Sequence, residues 1–163
     1  MGISIMDIKF ISKEDKMEKI LVPIDGSEAS NKAAAKAVDI ARKLGGSLTF
    51  ITVSINPIPL KVYEYEPFWD PELNEMLDII KGIDSKLLDN TLMKLNLDNI
   101  TYDKRFLFGT VDEEIIKVAR DEKFDMIVMG RRGFSKFERF FVGSVTQRVI
   151  SDAPCPVLVV NEQ

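Results

Sequence analysis

Short apolar, β-branched runs alternate with stretches of helical period along the whole of this chain, and that alternation leaves few folds open to it. Strands are expected at Lys19 to Asp25, Leu48 to Val53, Thr101 to Leu107, Asp125 to Met129 and Val157 to Val160. Between them, apolar residues recur at helical spacing. Ala29, Ala33, Ala37, Ile40, Ala41 and Leu44 precede the stop signal Gly45-Gly46, and a longer helix is expected from about Pro71 to Leu97. Ser27 reads as the first N-cap, and Thr110 to Glu113 fits a capping box opening a third helix. A fourth helix is expected from about Gly143 to Ser151. Strands and helices in this order are βαβ units around a parallel sheet, and 163 residues suit one such α/β domain. The pattern breaks from Asn56 to Glu72, where four prolines and Tyr63, Tyr65, Phe68 and Trp69 form a long irregular connection. Two roles are open for it, a cover or partner contact and simple packing on the following helix.

Composition narrows the chemistry. The chain has no histidine, which removes Ser-His and Cys-His pairs and imidazole metal sites. Catalysis would have to rest on carboxylates, lysines or a bound metal ion. A net charge of -4 argues against a duplex nucleic-acid partner, and no run is long and apolar enough to span a membrane. The lone Cys155 has no internal disulfide partner, which makes a cytoplasmic location the expectation.

The richest segment follows the fourth strand: Gly130-Arg131-Arg132-Gly133, nine residues, then Gly143-Ser144. Gly130 ends a strand and Gly143-Ser144 opens a helix. A helix N-terminus offers unpaired N–H groups and partial positive charge, and glycine lets an anion approach the backbone. Arg131, Arg132, Lys136, Arg139 and Arg148 make this stretch basic within an acidic chain, which suits a triphosphate. The other reading has the glycines serving only as turns and Ser144 only as a cap. Neither G-x-x-x-x-G-K-[ST] nor G-x-G-x-x-G occurs, so kinase-like and dinucleotide readings lose support. In an open parallel sheet, ligands lie beyond the carboxyl ends of strands where the strand order reverses. With the first and fourth strands adjacent there, Asp25 and the Gly130 loop would flank one crevice. Asp25 would then accept from the amine of adenine and repel the carbonyl of guanine. Its alternative role is to cap the following helix.

Three segments in order resemble the universal stress protein family: Val22-Pro23-Ile24-Asp25-Gly26-Ser27, Met129 to Val145 with the G-x2-G-x9-G-[S/T] spacing of its ATP-binding branch, and Ala153 to Val160. The resemblance covers about Met17 to Asn161. It implies a three-layer, Rossmann-like sandwich of the adenine nucleotide alpha hydrolase type, its five-stranded parallel sheet ordered 3-2-1-4-5. It implies further that Pro23, Asp25 and Val53 line the base and ribose, that Met129 and Gly130 flank the nucleoside, and that Gly133, Gly143, Ser144 and Val145 hold the phosphates. Mg or Mn would accompany ATP without a protein carboxylate cage of its own. Residues 1–16 stand before the family-like start and are expected to form an N-terminal extension, with the stress protein domain over 17–163.

The last strand, apolar on both faces at a sheet edge, is expected to pair with its own copy in a homodimer through residues 157–160. A complete phosphate motif without recognisable catalytic groups makes a nucleotide-responsive regulator with an unknown protein partner the leading function. A slow ATP hydrolase or adenylate-transferring enzyme, and a dimeric interaction module needing no nucleotide, are the alternatives.

Overall fold

The computed structural model describes residues 17–55, 71–131, 133 and 142–161. The expected N-terminal extension, nearly all of the connection after Asn56, and Arg132, Lys136 and Arg139 lie outside them. The elements run β1 (Lys19–Pro23), α1 (Glu28–Leu44), β2 (Ser47–Ser54), α2 (Pro71–Leu92), β3 (Tyr102–Phe108), α3 (Val111–Asp121), β4 (Met126–Gly130), α4 (Ser144–Asp152) and β5 (Val157–Val160). Five parallel strands form one sheet in the order β3-β2-β1-β4-β5, as expected.

The pleat sends alternate residues to opposite faces. Ile20 and Val22 of β1 face one core with Phe50, Val128 and the helices α1 and α2, where Ala33, Ala37, Leu88 and Leu92 are buried. Leu21 faces the other core with Ile51, Ile127 and Met129, beneath Ile115 and Ala119 of α3 and Val149 of α4. The result is three layers. Because β1 pairs with β2 on one side and β4 on the other, the strand order reverses beside β1.

Local chemistry sets the element ends. The Ser27 hydroxyl accepts from the Ser30 N–H at 3.1 Å, and Gly45 closes α1 in the left-handed region at φ 77. Thr110 is the N-cap of α3 but its side chain makes no capping bond, so the expected capping box does not form. Helix α2 stops at Leu92, short of the expected Leu97. Beyond it, Lys94 N–H and Leu95 N–H donate three residues back, to Thr91 and Leu92 carbonyls at 3.1 and 3.0 Å. Leu95 and Leu97 still pack on the core, which is why the apolar period outruns the helix.

The two sheet edges differ. On β3, Arg105 pairs with Asp103 and Glu122, and Lys104 pairs with Asp89. Charges of this kind guard an edge against pairing. Strand β5 carries Val157, Leu158, Val159 and Val160, all half-buried, and no charge.

Small residues let α1 lie close on β4. A Cβ on Gly130 would stand 2.7 Å from the Ala29 carbonyl carbon and 2.8 Å from its Cβ. Gly82, mid-helix in α2, has nothing within 4 Å of the same position. Opposite outcomes follow for one substitution. Gly130→Ala should lower stability by about 1–3 kcal/mol through overpacking, whereas Gly82→Ala should raise it by about 0.5–1 kcal/mol through helix propensity. Urea unfolding midpoints of the two variants check both signs.

Candidate functional site

The carboxyl ends of β1, β2 and β4 open onto a cavity of about 210 Å³ at the point where the strand order reverses. Pro23, Ile24 and Asp25 supply its wall from β1, Ile51 and Val53 from β2, and Met129, Gly130 and Gly133 from β4 and the turn after it. Val111 and Ile115 of α3 close one side, and Ser30 of α1 with Val145 and Thr146 of α4 complete it. The lining is mostly apolar, with few polar groups converging on it, which is the composition of small-molecule sites.

Two hydrogen bonds fix the segment leaving β1. Ile24 N–H donates to the Ile51 carbonyl at 2.8 Å, and the Thr52 hydroxyl donates to the Ile24 carbonyl at 3.1 Å. Asp25 therefore arrives in a fixed position. Its Oδ1 accepts from the Ser27 N–H at 2.9 Å and from the Ser27 hydroxyl at 2.6 Å. Its Oδ2 faces Gly133 so closely that a Cβ there would collide with it. Both roles read from the sequence are thus compatible: one oxygen steadies the start of α1 while the other borders the crevice.

Beyond β4, the Arg131 N–H donates to the Val160 carbonyl and its carbonyl accepts from the Gly143 N–H, each at 2.9 Å. The Thr146 hydroxyl donates to the Gly130 carbonyl at 3.1 Å and ties the first turn of α4 to the end of β4. Gly143, in extended conformation, is the N-cap of α4 and has no side chain with which to cap it. The first intrahelical bond runs from Gln147 N–H to the Gly143 carbonyl. The N–H groups of Ser144, Val145 and Thr146 precede it, as the opening amides of any α-helix do. No acidic residue sits in this first turn to neutralise its partial positive charge.

Of the residues singled out in the sequence, Pro23, Asp25, Val53, Met129, Gly130, Gly133 and Val145 share the cavity wall. Gly143 and Ser144 stand outside that wall, at the start of α4. Gly130 is small because α1 lies against it, a packing reason that the motif alone does not reveal. Arg148 bridges to the buried Asp112 of α3 at 3.2 Å, so part of the basic cluster fastens two helices together. Sequence reading missed Ile24, Ser30, Ile51, Val111, Ile115 and Thr146. The strand and helix periods carry a signal for Ile51 and Ile115 as core residues, but nothing local marks either as lining a cavity.

The family model for the universal stress protein family matches residues 16–161. A universal stress protein of Methanocaldococcus jannaschii is 32% identical over 154 residues, covering 91% of this chain and 85% of that protein. The solved structure of universal stress protein UspA from Lactobacillus plantarum is 28% identical with a TM-score of 0.73, over 89% of this chain and 98% of its own. Two more distant structures share the fold. One is a universal stress protein in complex with cAMP (21% identity, TM-score 0.59, 90% of this chain and 98% of that one). The other is an Arabidopsis thaliana family protein with AMP bound (14%, 0.62, 90% and 92%). With the sheet order, the glycine spacing and a match across nearly its whole length, the chain belongs to the universal stress protein family.

Proposed function

We propose that this protein binds ATP in the cavity at the strand-order reversal and acts as a nucleotide-responsive regulatory module. The observation that carries the reading is the arrangement itself: an apolar slot, one carboxylate oxygen at its border and an uncapped helix N-terminus beside it. Relatives of the same fold carry cAMP and AMP. The slot is smaller than the ~300–1,000 Å³ of sites that enclose a whole drug-sized ligand. It suits the base and sugar, with the phosphates outside it.

Pro23, Val53 and Met129 would pack on the nucleoside, and Asp25 Oδ2 would accept from the adenine amine. The phosphates would meet the N–H groups of Ser144, Val145 and Thr146 and the Ser144 hydroxyl, while Gly133 leaves room for the Asp25 carboxylate beside it. The Gly143 N–H is already held by Arg131, so the role of Gly143 is to admit the phosphates rather than to bond them. Among the described residues, no group of three or more Cys, Asp or Glu converges, and a divalent ion here would be held by phosphate and water.

Asp25→Asn tests the assignment because it keeps an oxygen for Ser27 and places an amide donor toward the crevice. ATP affinity should fall by about 1–3 kcal/mol, roughly fivefold to 150-fold, and the preference for ATP over GTP should narrow. Calorimetric titration of both nucleotides reads this. Unchanged affinity and preference would remove Asp25 from the site. A regulator should also return ATP intact after long incubation, whereas steady ADP formation favours the hydrolase alternative.

Dimerisation through β5 forms part of the proposal. The Pro156 and Val160 carbonyls accept from Ile127 and Arg131 of the β4 side, so the alternate residues Val157 and Val159 turn their backbone groups outward. These are the groups a second copy would pair with. Val159→Pro removes an outward N–H and spares the ladder to β4. Light scattering should give twice 18.5 kDa for the parent protein and 18.5 kDa for the variant. Equal masses for both would refute pairing through this strand.

A further inference from the structure

Among the described residues, helix α2 lines no part of the cavity, yet it contacts two of the strand ends that do. Asp84, Leu87 and Thr91 recur at steps of three and four, so they share the face of α2 turned to the sheet. Asp84 accepts from the hydroxyl of Ser54, one residue past Val53 of the cavity wall. Leu87 packs on Gly26, the residue after Asp25, where a Cβ would stand 2.8 Å from Leu87 Cδ1. Gly26 lies in the left-handed region at φ 83, so the turn leaving Asp25 is built on the residue with the widest conformational freedom.

Thr91 helps to hold that turn. It is buried, and its hydroxyl donates to Asn31 Oδ1 at 2.9 Å. The bond orients the Asn31 amide, near the start of α1, so that Nδ2 donates to the Gly26 carbonyl at 3.4 Å. Valine would fill the space of Thr91 equally well, so packing alone does not account for a buried hydroxyl here. On the other side of Asp25, Ile24 is fixed by Ile51 and Thr52. Asp25 is thus held between two anchors, one from β2 and one from α2.

We propose that Asn31 and Thr91 are positioning residues for Asp25, holding the Gly26 turn so that the carboxylate borders the crevice. The proposal rests on the reading of that crevice as a nucleotide site. Neither residue belongs to the cavity wall, so both act through the turn rather than on the nucleotide. One chain of contacts, from Thr91 through Asn31 and Gly26 to Asp25, then joins α2 to the site.

Thr91→Val removes the hydroxyl and keeps the shape, and Thr91→Ser restores the hydroxyl. In the full chain without nucleotide, hydrogen exchange is read at the Ser27 amide, which donates to Asp25. Its exchange should quicken in Thr91→Val by more than that of the β1 amides, and return to the parent rate in Thr91→Ser. ATP affinity, from calorimetric titration, should fall about three- to tenfold in Thr91→Val and in Asn31→Leu, and recover in Thr91→Ser. Because the effect runs through Asp25, Thr91→Val should cause no further loss on an Asp25→Asn background. A lowered urea midpoint with Ser27 exchange and ATP affinity unchanged would make the contact merely structural and overturn the proposal. So would an equal loss of affinity on the Asp25→Asn background. If the parent protein binds no ATP, the nucleotide reading fails, and Ser27 exchange alone decides whether α2 holds the turn.

Discussion

The contact of Ala29 in α1 with Gly130 at the end of β4 governs the rest of the molecule. The two come so close that no side chain fits on Gly130, and the N-terminal turn of α1 is thereby set against the carboxyl end of the sheet. That closeness brings Ser27 and Asp25 to one side of the reversal point and leaves β4 free to pass into the glycine turn on the other. Without it, the carboxylate and the start of α4 would not share one crevice.

The crevice then holds complementary parts. Apolar walls from Ile24, Ile51, Ile115 and Met129 continue both cores outward, so the slot is rigid for the reason any close-packed interior is rigid. Its polar features sit at one border, and each is held in place by the protein itself: Asp25 by Ser27, the first turn of α4 by the bond from Thr146 to Gly130. Preorganisation of this kind lowers the ordering cost of binding. The ion pair of Arg148 with Asp112 serves the same end, joining α4 to α3 on the outer side of the cavity.

The alternation of strand and helix makes the layer architecture legible in the amino-acid sequence, because apolar periods of two and of 3.6 record which face of an element is buried. Ends are less legible. The stripe of leucines past Leu92 records packing on the core, and Leu95 and Leu97 are partly buried by turns rather than by helix. At the site, the glycine spacing points to the right strand end and the right helix, but it does not say why Gly130 is small or that the Gly143 amide is taken. The first is a fact about Ala29, which lies outside the motif, and the second is a backbone pairing of Gly143 with Arg131, which residue identities do not record. The same limit hides Thr146, whose hydroxyl acts on a carbonyl sixteen positions earlier in the chain.

Amide proton and nitrogen shifts of the labelled protein, followed during addition of ATP, examine the central claim at the atoms that carry it. Saturable movement of the Ser144, Val145 and Thr146 resonances, with the far end of α4 unmoved, is the outcome this account requires. If ATP binds while those three amides stay where they are, the phosphates lie elsewhere and the account is wrong.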